Sequence, residues 1–121
     1  MRNDKQNLIV ALTFQFALQI VEFSEVLEGK RKYVLGRQIL KSGTSIGANV
    51  RESQNAESKL DFIHKIKIAA KEADETEYWL LLCKYSTNYP NPDNLLEKLS
   101  QIIKVLSKIL STCKSTIKVE G

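Results

Sequence analysis

Glu72, Asp74, Glu75 and Glu77 crowd four carboxylates into six residues of the segment KEADETEYW. Clustered carboxylates can hold a metal ion or divide acid and base roles between them. A di-iron carboxylate bundle, however, needs Glu-x-x-His motifs on two helices, and neither motif occurs. His64 is the chain's single histidine, so a histidine metal site or a catalytic triad lacks parts. It reads as a surface or boundary residue. Cys83 and Cys113 stand alone, with no second ligand at metal spacing, and read as small apolar core residues in a reducing compartment. No metal, no cofactor and no catalytic residue is expected, and the protein is not expected to be an enzyme.

The other stretch that could do chemistry is LKSGTSIGANVRES, residues 40–53. A phosphate cradle would place its glycines after a strand and a lysine before a Ser or Thr at the helix start. GTSIGAN has no such lysine, and no strand precedes it. A helical stripe instead runs through it without a break: Leu35, Ile39, Ser42, Ile46, Asn49, Ser53 and Ala56. Beside it lie Gly36, Leu40, Gly43, Gly47 and Val50. Each mid-helix glycine costs about 1 kcal/mol against alanine, which close approach of a neighbouring helix would offset. Polar groups on such a stripe need hydrogen-bond partners, since an unpaired one costs about 1–3 kcal/mol. Ser42, Ser45, Asn49, Glu52 and Ser53 are therefore expected in a structural polar network with Glu72, Glu75 and Thr76 of the next helix, fixing register and partner choice.

Four helical segments position these residues. The first runs from Asp4, a plausible N-cap, to about Glu28, with Ile9, Thr13, Phe16, Ile20, Phe23 and Leu27 on one face. Phe14, Leu18 and Val21 widen that stripe, and Gly29 is the expected stop. The second covers roughly residues 32–56. Ser58 and Asp61 form a capping-box-like pair opening the third, which carries Phe62, Ile66, Ala69, Ala73, Thr76, Leu80 and Cys83 and ends near Tyr85. Tyr78 and Trp79 read as packing residues on it. Asn91 then caps the fourth, with Pro92 at its first position and Asp93 favouring the dipole. Leu95, Leu99, Ile102, Leu106, Ile109 and Cys113 follow at three-four spacing, and fraying is expected beyond Thr116.

Long helices and short links predict an all-α fold, a left-handed, up-down-up-down antiparallel four-helix bundle forming a single domain over residues 1–121. The apolar N-terminal run is interrupted by Gln15, Gln19 and Glu22 and has no cleavage site after it. Its uninterrupted part is too short to span a bilayer. A cytoplasmic location with no membrane partner is expected.

SGTSIGANVRES and the following SKLDFIHKIKIAAKEADETEYWLLL resemble the bacterial four-helix-bundle family that includes proteins encoded in intervening sequences of the 23S ribosomal RNA gene. The pattern Ser-Ile-x-x-Asn-x-x-Glu falls on Ser45, Ile46, Asn49 and Glu52, with a second element between Glu72 and Leu80. Where the family usually has Glu-Gly, this chain has Glu52-Ser53. The resemblance spans nearly the whole chain. It implies a homo-oligomeric bundle. Similar accessory proteins of diversity-generating retroelements form pentameric rings and contact reverse transcriptase and nucleic acid through a basic surface. The five-fold number comes from the resemblance alone, whereas self-association also follows from Leu8, Phe14 and Leu18, apolar residues beyond what one interior needs.

A net charge of +4 is compatible with a polyanionic partner without being diagnostic of one. The excess is concentrated: residues 1–28 carry −2, and residues 29–57 carry +4. Lys30, Arg31, Lys32, Arg37, Lys41 and Arg51 are therefore the candidate residues for binding RNA or DNA. The bland alternative is a solvated face on a protein–protein interaction scaffold.

Overall fold

A computed structural model describes the backbone of residues 4–120 and the side chains of residues 8–115. Four helices follow in order: α1 Asp4–Gly29, α2 Tyr33–Ser53, α3 Lys59–Tyr85 and α4 Asp93–Glu120. No strand occurs among the described residues. Consecutive helices pack side by side and α4 closes on α1, while the diagonal pairs stay apart. The all-α four-helix bundle expected from periodicity and short links is the fold observed.

Three-four spacing selects the core. Ile9, Phe16, Ile20 and Leu27 of α1 meet Ile39, Ile46 and Val50 of α2. Ile66, Ala69, Ala73 and Leu80 of α3 join Leu99, Ile102 and Leu106 of α4 in the same cluster. Burying each large aliphatic side chain contributes about 1.5–3 kcal/mol, which is the main source of helical stability in such a bundle. Phe14, Leu18 and Val21 do not widen this core. They point outward from α1, because their positions lie more than a quarter turn from the centre of its buried stripe.

The α2 glycines are where α1 comes close. A Cβ on Gly43 would stand 2.8 Å from both Cγ1 and Cγ2 of Ile20, and one on Gly47 would stand 3.2 Å from the carbonyl oxygen of Thr13. Gly36 is looser, its nearest neighbour being Leu27 Cβ at 3.5 Å. Leu40, expected beside them, is instead partly exposed at the rim.

Helix ends follow local chemistry. Gly29 remains inside α1, and the stop lies two residues later: Arg31 adopts the left-handed conformation, φ 62°. Its N–H donates to the Glu28 carbonyl at 2.9 Å, and the Lys32 N–H donates to the Leu27 carbonyl at 2.8 Å. This is a Schellman end with arginine where glycine is usual. Arg31→Gly should therefore raise stability by about 1 kcal/mol, since a side chain in this conformation costs roughly 1–2 kcal/mol and glycine's greater unfolded freedom returns part of that. Thermal melts of the two proteins check it.

α2 ends at Ser53, short of Ala56, as residues 54–56 turn through tight i→i−3 hydrogen bonds. Ser58 caps α3 by accepting the Asp61 N–H at 3.0 Å, and Asp61 accepts in return from the Glu57 N–H at 3.2 Å. Asn91 Oδ1 accepts the Asp93 N–H at 2.9 Å at the start of α4. The helical backbone of α4 continues to Glu120, past the fraying point expected at Thr116. The cap expected of Asp4 lies outside the described side chains.

Candidate nucleic-acid interface

The six candidate cations lie on and just before α2, and the structure divides them. Lys30, Arg31, Arg37 and Arg51 are exposed and make no ion pair among the described residues. Lys41 is also exposed but faces Glu72 of α3, whose carboxyl it pulls toward ionisation. Lys32 is half-buried, with its ammonium 4.8 Å from the centroid of the Tyr89 ring. A cation over an aromatic face is held there by the ring quadrupole, so Lys32 ties the two links at this end of the bundle together. Twenty-one residues separate Lys30 from Arg51, so the stripe runs along about 30 Å of helix.

Between α2 and α3 the structure joins fewer polar residues than the periodicity suggests. Thr76 Oγ1 donates to Ser42 Oγ at 2.9 Å, a buried bond between helices. The other small polar groups turn back onto α2. Ser45 Oγ bonds the Lys41 carbonyl at 2.6 Å, Asn49 Nδ2 the Ser45 carbonyl at 2.9 Å, and Ser53 Oγ the Val50 carbonyl at 2.6 Å. Short polar side chains satisfy themselves this way on a helix without any partner across the groove. Glu52 reaches Lys65 at 3.2 Å in an exposed pair, worth little by itself.

Glu72 and Glu75 interact with each other rather than with these hydroxyls and the amide. Burial pushes the Glu72 carboxyl above the usual range, and the neighbouring Glu75 adds to it, against the pull of Lys71 and Lys41. A carboxyl raised on folding destabilises the native state above its folded pKa, and the penalty vanishes below the unfolded one. Glu72→Gln should therefore raise the melting temperature at pH 7–8. Its advantage should shrink toward pH 4, as melts at the two pH values would read. Asp74 and His64 face solvent. Cys83 is buried, which pushes its thiol up to about 11 and makes it a poor nucleophile. Tyr78 is exposed rather than packed, with its ring edge against Trp79 at a centroid distance of 5.3 Å.

The apolar back of α1 was only partly legible. Leu8 is 48% exposed, Phe14 56%, Leu18 47% and Val26 47%, and Val21 joins them. Glu22, Glu25 and Glu28 continue this outer surface toward the end of α1 without ion pairs among the described residues. By length and composition Leu8–Gly29 is also apolar enough to cross a membrane, contrary to the expectation from the interrupted run. Its inner face nevertheless supplies Ile9, Phe16, Ile20 and Leu27 to the bundle core.

Comparison with known proteins adds the family. No curated protein matches the chain. Its backbone is similar to the 1.70 Å crystal structure of a protein of unknown function from the S23 ribosomal protein family of Bacteroides thetaiotaomicron VPI-5482. The TM-score is 0.84 at 40% identity, covering 88% of this chain and 98% of that one. Residues 5–112 match the family model described as 23S rRNA-intervening sequence protein. The chain belongs to the 23S rRNA-intervening sequence protein family.

Proposed function

We propose that the protein is a non-enzymatic, cytoplasmic bundle that assembles with copies of itself, as a pentameric ring on the strength of the family resemblance alone. Its role would be that of an accessory factor in nucleic-acid binding or ribonucleoprotein assembly. The observation that carries this reading is the run of exposed, unpaired cations along α2. Cations already engaged in the fold would have little left for a partner, whereas Lys30, Arg31, Arg37 and Arg51 are uncommitted among the described residues.

Self-association is supported by the outward apolar residues Leu8, Phe14, Leu18, Val21 and Val26. Contiguous exposed apolar area marks interaction sites. Copies around a ring would multiply a weak field into a polyanion site. Binding would be directed to phosphates and weakly selective in sequence, because backbone contacts carry no base information.

Binding of structured RNA and duplex DNA by the wild type, beside Arg37→Glu/Lys41→Glu, tests the proposal. The reading expects wild-type binding at low salt and its loss on charge reversal. Equal binding by both proteins, or none by the wild type, would leave a protein–protein scaffold as the better account.

A further inference from the structure

In an up-down-up-down bundle the α1–α2 and α3–α4 links share one end, and the sequence concentrates its tyrosines and cations there. Tyr33, Tyr85 and Tyr89 are three of the chain's four tyrosines. Lys30, Arg31, Lys32 and Lys84 stand among them, against the acids Glu28 and Asp93. Two contacts hold this end together. Lys32 Nζ lies 4.8 Å from the centroid of the Tyr89 ring and so joins one link to the other. Lys84 pairs with Asp93 Oδ1 at 3.2 Å across the α3–α4 link.

Packing does not require what this end exposes. Tyr85 is 79% exposed and Tyr33, the first residue of α2, is exposed as well. Neither belongs to the outward apolar face of α1. Arg31 and Asn88, one in each link, are the non-glycine residues with positive φ among the described residues, at 62° and 66°. Asparagine visits this conformation readily, but arginine does not. A strained side chain that persists at a surface link points to a use for it. Arg31 keeps its guanidinium exposed there, and like Lys30 it makes no ion pair among the described residues.

We infer that this end of the bundle is a platform for unpaired nucleotides of a single strand. Base faces lie on the Tyr85 and Tyr33 rings, and phosphates sit on Lys30 and Arg31. The Lys32–Tyr89 and Lys84–Asp93 contacts keep the two links in register beneath the strand. Cations alone would serve any phosphate backbone. Exposed rings among them add a demand that only unstacked bases meet, which is the common mode of single-strand recognition. Bases stacked inside a duplex cannot reach such rings. This inference rests on the polyanion reading above and adds to it a preference for unpaired bases and the place that reads them.

The test compares a single-stranded RNA of adenosines with an abasic sugar–phosphate strand of the same length and charge at fixed salt. Wild type should bind the base-bearing strand about tenfold more tightly, as expected for one or more stacked bases. Tyr33→Ala/Tyr85→Ala should bring that ratio toward one without changing helical content. Tyr78→Ala is the control, since that ring is also exposed but lies two turns back along α3, and it should keep the wild-type ratio. Arg31→Gly should weaken both strands and lower the salt slope by about one. Tyrosine nitration should find Tyr33 and Tyr85 protected by the adenosine strand and Tyr78 still reactive. Equal binding of the two strands by wild type would overturn base capture while leaving the polyanion reading intact. Protection of the same two tyrosines by phosphatidylserine vesicles in that case would assign the platform to a lipid surface. Absence of binding to either strand, structured RNA or duplex DNA would overturn both readings. Loss of assembly mass in Tyr33→Ala/Tyr85→Ala with an unchanged strand ratio would assign the rings to a subunit contact and overturn the inference.

Discussion

Gly43→Leu is expected to destabilise the bundle by at least about 1–3 kcal/mol, the usual cost of forcing bulk into a packed core. Even its Cβ would meet two Ile20 carbons at 2.8 Å, and Ile20 is fully buried. A β-branched side chain has few rotamers into which it can retreat. Gly47→Leu should be milder. Its Cβ meets the Thr13 carbonyl oxygen at 3.2 Å, but the rest of the side chain can enter the adjoining cavity of about 470 Å³. Gly36→Ala is the control: its new methyl finds Leu27 Cβ at 3.5 Å, an ordinary contact, so helix propensity should yield a gain of up to about 1 kcal/mol. Denaturant titrations should rank the proteins Gly36→Ala, wild type, Gly47→Leu, Gly43→Leu from most to least stable. Equal midpoints for Gly43→Leu and wild type would remove the close-approach argument.

The second large effect concerns assembly. Leu18→Glu/Val21→Glu places two charges on the apolar back of α1 while leaving its buried face untouched. An isolated charge buried at an interface costs several kcal/mol, enough to separate copies at micromolar concentration. Light scattering should move from a multiple of the chain mass to 13.7 kDa, with circular dichroism unchanged. A wild type that already scatters as 13.7 kDa across micromolar concentrations would contradict self-association.

The core was legible because burial repeats with the helix period: Ile9, Phe16, Ile20 and Leu27 on α1, or Leu95, Leu99, Ile102 and Leu106 on α4, sit where the spacing places them. The glycine row was legible for a related reason, since two costly residues four apart imply a return in packing. Periodicity says less about the flanks of a stripe. Phe14 and Leu18 have the chemistry of core residues, and only the position of the neighbouring helices leaves them outside. Helix termination resisted reading as well, because Arg31 occupies a conformation that composition assigns to glycine. The polar set on α2 was overread for want of hydroxyl orientation. Ser45 and Ser53 each reach a carbonyl on their own helix, and side-chain identity cannot reveal that choice. The cavity beside Gly47 was invisible in the sequence, since its lining comes from α1, α2 and the turn that follows α2.

The central claim is that copies of the α2 cations act together on a polyanion, and the salt dependence of binding tests it most directly. Lys30, Arg31, Arg37, Lys41 and Arg51 of one chain can neutralise at most five phosphates. A single stripe is thus limited to a slope of about −4.5 in log K against log salt on duplex DNA. An assembly that presents several stripes to one ligand should exceed that value, and Leu18→Glu/Val21→Glu should fall back within it. Binding of duplex DNA or structured RNA with a slope steeper than about −5 is the result predicted. No binding to either at low salt, or the same slope for wild type and the disassembled variant, would contradict the account.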